Sequence, residues 1–307
     1  MTKALDLSGQ RLTSVPASVW KSIELEELDL DRNELASLPA RIGRLKNLKY
    51  LSLYNNRLSS LPDAVWQLTG LRTLNLADNR FASLPEGIVN LTALQMIDLG
   101  HNELKALPES LGRLRRLSFL YLSNNKLSSL PESLANLTGL LYLNITDNQL
   151  TALPALIGSL TRLIELRLYN NRLASLPEAL GQLTELRELH LMNNELTTLP
   201  ASLGKMKGLK KLDLQDNKLP SLPEALGQLK NLTDLNLRNN NLEALPEAVG
   251  RLKNLRYLDL RANRGVHLPA SLEGLTKLEK LDLRWTRLSP LPRWLRQLEQ
   301  RGCIVFT

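Results

Sequence analysis

The chain has 307 residues and a formal net charge of +8 at pH 7, with 43% hydrophobic but only 4% aromatic residues. That apolar content suffices for a core, but one made of aliphatic rather than aromatic side chains. Its one cysteine, Cys303, excludes a disulfide framework, and nowhere do 18 apolar residues run together.

In chain order, a partial unit covers residues 1–24, and its MTKALDLSGQRLT start contains no apolar stretch of signal-peptide length. Folding in the cytoplasm is the natural reading, with delivery as an effector lacking a classical signal peptide as the alternative. Leu5 is followed at intervals of 23 residues by Leu28, Leu51, Leu74, Ile97, Leu120, Leu143, Leu166, Leu189, Leu212, Leu235, Leu258 and Leu281. From Leu25 to Gln300 the register holds through twelve units without insertion or deletion, in the pattern LxxLxLxxNxLxxLPxx(I/L)xxLxx. A fixed period of this length marks stacked supersecondary units that share one continuous core.

Within each unit LxxLxL predicts a short strand whose leucines point inward while the residues between them point out. Asparagine holds the ninth position from Asn33 to Asn263. An amide both donates and accepts, so it suits a place where the chain turns inward beside neighbouring coils and leaves backbone groups to satisfy. Proline holds the fifteenth position from Pro16 to Pro292, where a fixed φ and a missing N–H fit the start of a helical or 3₁₀ turn.

These motifs, in register over essentially the whole chain, resemble those of the leucine-rich repeat family. The resemblance implies an α/β fold, a right-handed solenoid curved as a horseshoe. A parallel β-sheet would line its concave face and short helical or 3₁₀ turns its convex face. The chain then reads as a single domain, 1–307, with twelve full repeats over 25–300 and a closing strand over 301–307. The LPxx(I/L)xxL subtype is similar to intracellular Ras-group repeat scaffolds, to bacterial Roco repeat domains and to bacterial effectors. It implies protein partners, with small GTPases, phosphatases and host proteins as the classes to consider, and it carries over no individual site.

The ends depart from the pattern. Gln10 replaces the ladder asparagine and Ser22 a leucine, so Leu5, Leu7 and Leu12 are expected at an open edge, left by an absent upstream segment or covered by a partner or another copy. In the eleventh full repeat Gly265 stands where leucine belongs, and Val266 is expected to fill the core through a local bulge. At the other end Thr286 replaces the asparagine. RGCIVFT, which resembles the closing segment of bacterial family members, is expected to place Ile304 and Phe306 inward and an unreactive Cys303 outward.

With leucine occupying the interior, the third, fifth and seventh positions of each unit form outward columns about 5 Å apart from coil to coil. All six tyrosines fall in them: Tyr50, Tyr54, Tyr121, Tyr142, Tyr169 and Tyr257. The first five, with Met96, Phe119, His190 and Met192, form the candidate partner-binding field, since Tyr and Met on a partly apolar face are what protein-binding surfaces carry. The competing reading is that aromatics simply favour strands. Charge is arranged too, from Glu26, Glu27, Asp29, Asp31 and Glu34 at one end to a basic patch of Arg238, Arg261, Arg264, Arg284, Trp285 and Arg287 at the other. Asp259 and Asp282 are close enough in sequence to pair with that patch as a solvated ladder. The alternative is a contact patch for an acidic partner surface.

No phosphate-cradling glycine loop, nucleophile elbow or zinc-ligand spacing occurs, and His101, His190 and His267 share no metal-binding interval. The expectation is therefore a non-enzymatic module with no cofactor, metal, small-molecule substrate or membrane partner. Two other readings stay open: a repeat segment of a larger signalling enzyme or bacterial effector, and a nucleic-acid binder using the arginine-rich end. Basic residues such as Arg44 and Arg113 on the convex turns, and an aromatic field apart from the arginines, count against the latter.

Overall fold

The computed structural model describes residues 3–307, and the chain divides into two compact units, Met1–Gln149 and Leu150–Thr307. In the first unit seven three-residue strands follow one another: β1 (Ala4–Asp6), β2 (Glu27–Asp29), β3 (Tyr50–Ser52), β4 (Thr73–Asn75), β5 (Met96–Asp98), β6 (Phe119–Tyr121) and β7 (Tyr142–Asn144). The second holds β8 (Glu165–Arg167), β9 (Glu188–His190), β10 (Lys211–Asp213), β11 (Asp234–Asn236), β12 (Tyr257–Asp259), β13 (Lys280–Asp282) and β14 (Ile304–Phe306). Within each unit every strand pairs in parallel with the next, in chain order, as a repeated strand–turn coil requires.

The register shows why the period matters. Leu51 lies beside Leu28 and Leu74, and Leu212 beside Leu189 and Leu235, so one buried column of leucine runs through each unit. In the coil that begins at Leu25, Leu28, Leu30, Leu35, Ile42 and Leu45 are all fully buried. Proline then opens the return path. Pro39 is extended, with φ −76° and ψ 150°, and the 3₁₀ turn Ala40–Arg44 follows it. The Pro39 carbonyl accepts from the Ile42 amide at 3.1 Å, a bond that needs no proline N–H.

Neighbouring turns pack so closely that some admit no side chain. A Cβ on Gly181 would sit 2.3 Å from the Ser202 carbonyl oxygen, and one on Gly227 would sit 2.4 Å from that of Ala248. The LG of each LGxL turn is therefore a packing requirement.

The asparagines form the expected ladder. Asn56 Oδ1 accepts from the Leu35 amide at 3.0 Å, while its Nδ2 donates to the Leu30 and Leu53 carbonyls at 2.9 and 3.1 Å. Asn217 makes the same three bonds to Leu196, Leu191 and Leu214. Each amide thus serves two coils at once, and Thr286 keeps only part of this role, donating to the Leu283 carbonyl at 2.6 Å.

One position not singled out by the leucine pattern proves as regular as the core. The residue before each ladder asparagine has φ between +51° and +63° from Arg32 to Trp285, with Gly9 at +67° in the first coil. Asn or Asp fills this place in Asn55, Asp78, Asn124, Asp147, Asn170, Asn193, Asp216 and Asn239, the side chains that tolerate left-handed backbone best. Several link to an adjacent coil, as Asn55 donates to Asp78 at 2.8 Å and Asn193 to Asn170 at 2.8 Å.

The terminal regions confirm two expectations and correct two. Leu5, Leu7 and Leu12 are half-buried where Leu28, Leu30 and Leu35 are fully buried, and Val266 fills the core in place of Gly265. At the far end a helix, α1 (Leu295–Gln300), leads into β14, which pairs with β13 so that Val305 stands beside Leu281. Ile304 and Phe306 consequently align with Lys280 and Asp282 and point outward, 59% and 38% exposed, rather than inward. Cys303 is buried instead of facing out, and burial pushes its thiol up to about 11. The spacing from Leu281 to Val305 is 24 rather than 23 residues, and this one-residue shift inverts the alternation of the strand.

Candidate functional site

The outward columns emerge as read from sequence: none of the six tyrosines enters the core. In the first unit Tyr50, Tyr54, Tyr121 and Tyr142 are half-buried, as is Met96, and Phe119 is 39% exposed. The register sets Met96 beside Phe119 and Phe119 beside Tyr142, giving three large side chains in adjacent coils. Across the column the rings of Tyr121 and Tyr142 stack with centroids 4.9 Å apart and planes tilted by 37°. Such pairs contribute about 0.5–1.5 kcal/mol beyond their buried area, so each ring helps to hold the other in place.

At the start of this unit the acidic residues divide by direction. Glu26 lies beside the strand and is tied to Lys3 at 2.9 Å and Lys49 at 2.5 Å, and hydrogen bonds from Lys49 and then Lys3 hold its carboxyl near pKa 2. Asp31 stays on the strand face, hydrogen-bonded by Ser52 Oγ and by the Tyr54 amide at 2.8 Å. Burial raises its pKa against those hydrogen bonds.

In the second unit Tyr169 and Met192 are half-buried, and His190 is buried. His190 Nε2 lies 3.0 Å from Glu188 Oε2 and 3.8 Å from Glu165 Oε1, and Arg167 Nε donates to Glu165 at 2.5 Å. Beyond β9 the face becomes an ionic groove of about 230 Å³ between Lys211, Asp213, Asp234, Tyr257, Asp259 and Lys280. Asp213 is pushed above the usual carboxylate range by burial, despite hydrogen bonds from the Gln215 amide and Asn236.

The basic patch separates into two groups. Arg261 forks onto Asp259 and reaches Asp282 at 3.5 Å, while Arg284 binds Asp282 at 2.6 Å and lies over the Phe306 ring at 5.1 Å. The Arg–Asp ladder is therefore real, and it neutralises the arginines that had looked available to an acidic partner. Arg238 is half-buried in the same column. Arg264 and Arg287 are exposed beyond the asparagine ladder, off the strand face, and Trp285 is 62% exposed beneath Arg284. Sequence columns missed this division because Arg264 and Arg287 occupy tenth rather than seventh positions.

A family model described as leucine-rich repeat region matches residues 2–98, 63–140, 111–219 and 200–300. The chain belongs to the leucine-rich repeat family. Among solved structures, a leucine-rich repeat protein of Leptospira interrogans is 31% identical, over 99% of this chain and 95% of its own, with a TM-score of 0.70. The plant peptide hormone receptor RGFR1, solved in complex with RGF2, is 30% identical over 93% of this chain and 52% of its own, with a TM-score of 0.77. An internalin of Listeria monocytogenes shares the fold, with a TM-score of 0.84 at 24% identity, over 99% of this chain and 86% of its own. No curated protein matches. As a leucine-rich repeat protein the chain has a scaffold of a kind found in interaction modules, and no helix among its described residues is long and apolar enough to cross a membrane.

Proposed function

We propose that this leucine-rich repeat chain is a non-enzymatic interaction module that binds a folded protein on its strand face. The observation that carries this reading is the first unit's strand face. Tyr50, Tyr54, Met96, Phe119, Tyr121 and Tyr142 project from a core already filled by leucine, and the outward strand columns there include no lysine or arginine. Packing does not require these rings, and aromatic anchors of this kind carry most of the energy in protein interfaces. The similar plant receptor is in complex with RGF2, which supports a macromolecular ligand for the scaffold. Tyr169, His190 and Met192 extend the contact chemistry in the second unit.

The test pairs binding with stability. Tyr121→Ala combined with Tyr169→Ala should weaken capture of the native partner by about 30-fold or more, the effect of losing one strong anchor. The melting temperature should fall by only a few degrees, because neither ring lies in the leucine core. Undiminished capture by the double variant would place the binding surface elsewhere. Affinity that instead collapsed steeply with salt in the presence of single-stranded nucleic acid would favour a phosphate-binding role over this one.

A further inference from the structure

We propose that Glu165, Glu188 and His190 form a binding site for a divalent transition metal of the zinc class, on the strand face of the second unit. The three residues are 23 and two positions apart, an interval that resembles no sequence motif for metal binding. The coil places them together. The register of β8 and β9 sets Glu165 directly beside Glu188 and Arg167 beside His190.

Like charges side by side on adjacent strands repel, so this pairing requires something positive between the carboxylates. Arg167 meets that need for Glu165, at 2.5 Å. Glu188 faces His190 Nε2 at 3.0 Å, and the same nitrogen lies 3.8 Å from Glu165. Which role Nε2 plays depends on the tautomer: it donates to Glu188, or it turns its lone pair to a cation held with the carboxylates. As a donor, Nε2 reaches Glu188 alone, and Glu165 stays with Arg167. A metal ion joins all three.

Spacing, donor type and burial agree with the ion. One donor atom from each residue lies within 4.8 Å of the other two. Ligands at about 2.0–2.1 Å from a tetrahedral ion stand about 3.3 Å from each other, between the observed 3.0 and 3.8 Å. One imidazole with two carboxylates is a donor set that suits zinc and its neighbours rather than calcium. The His190 side chain is only 10% exposed and Glu165 22%, while Glu188 is 41% exposed, so the pair of ligands against the sheet is held and the third closes from solvent. Arg167 Nε donates to Glu165 Oε1, the same oxygen that faces His190, and so fixes the orientation of that carboxylate. Lys211 and Asp213, the register partners of Glu188 and His190 on β10, balance each other beside the site.

The experiment titrates the intact chain with zinc by calorimetry and with cobalt(II) by visible absorption. The expected result is saturable uptake of one ion, with the intense ligand-field bands of low-coordinate cobalt. His190→Ala and Glu188→Gln should each weaken uptake by at least tenfold. His101→Ala with His267→Ala should leave it unchanged. Glu188→Gln is the safeguard against misfolding, because its side chain is part-exposed and the change is isosteric; its melting temperature without metal should match that of the parent. Absence of one-to-one uptake by the parent, or uptake undiminished in both His190→Ala and Glu188→Gln, overturns the proposal. Its failure would leave the protein-binding reading intact, since that rests on Tyr121 and its neighbours.

Discussion

In the first unit the outward columns of the described strands carry Asp6, Glu27, Asp29, Asp31 and Asp98 as their only charged residues, beside the rings of Tyr50, Tyr54, Phe119, Tyr121 and Tyr142. In the second, six carboxylates (Glu165, Glu188, Asp213, Asp234, Asp259 and Asp282) face six bases (Arg167, Lys211, Arg238, Arg261, Lys280 and Arg284). The strands beneath have the same length, parallel pairing and leucine interior in both. A shared frame therefore leaves surface chemistry free. The frame is fixed because each inward side chain is enclosed by neighbouring coils, whereas an outward one meets only its column and solvent. The first face offers apolar area to solvent; the second spends most of its charge on itself.

The sharpest way to test whether the frame is truly common is to cut the same rung in each unit. Asn79→Ala and Asn217→Ala should each destabilise by about 3 kcal/mol, because each leaves a buried amide without its acceptor and takes one of two asparagine donors from each of two buried carbonyls. Chemical denaturation of both variants checks this, and a large inequality would show that the two units do not share one supporting logic.

A second comparison uses acid. Burial pushes Asp98 above the usual carboxylate range, against one hydrogen bond from the Gly100 amide, on a face without cations. Burial acts on Asp282 in the same direction, but hydrogen bonds from Arg284 and the charge of Arg261 outweigh it and hold the carboxyl below the usual range. A raised folded pKa means that ionised Asp98 opposes folding at neutral pH, and the penalty fades as pH falls through that value. A lowered one means that ionised Asp282 supports folding above the usual carboxylate range, and the support is lost as pH falls through the folded value. Asp282→Asn should therefore cost on the order of 2 kcal/mol at pH 7, the worth of hydrogen bonds to a charged group, with less loss in acid. Asp98→Asn should raise the melting temperature at pH 7, with the gain disappearing in acid. Melting curves across the acidic range decide it, and equal signs for the two variants would break the contrast.

The smallest effect concerns the backbone shared by both. Ala262 holds φ +59°, where most other coils place Asn or Asp. Ala262→Gly should stabilise by up to about 1 kcal/mol, the strain relieved being partly offset by the greater freedom of unfolded glycine. A denaturation midpoint that moves downward would show that the side chain there contributes more than its strain removes.

Much of this was legible from residue spacing. The leucine grid, the asparagine ladder, Val266 as the substitute for Gly265 and the outward tyrosines all stand where the 23-residue period puts them, because a period read over many units averages away local ambiguity. The left-handed residue before each asparagine was equally readable, in doublets such as NN and DN, but only to a reader looking for backbone conformation. The last strand failed for a physical reason: a single extra residue between Leu281 and Val305 reverses which side chains face the core. Arg264 and Arg287 failed as members of the strand-face patch because proximity in sequence is not membership of a column.

By itself the sequence determined the family, the period and which side chains look outward, since leucine, asparagine and proline each suit one place in the coil and recur at one interval. Tertiary structure alone decided what those outward groups do to one another. It paired Arg261 and Arg284 with aspartates, stacked Tyr121 on Tyr142, and brought His190 between Glu165 and Glu188. Those outcomes depend on distances of a few ångströms between adjacent coils, and a repeat pattern specifies which residues are neighbours without specifying where their side chains meet.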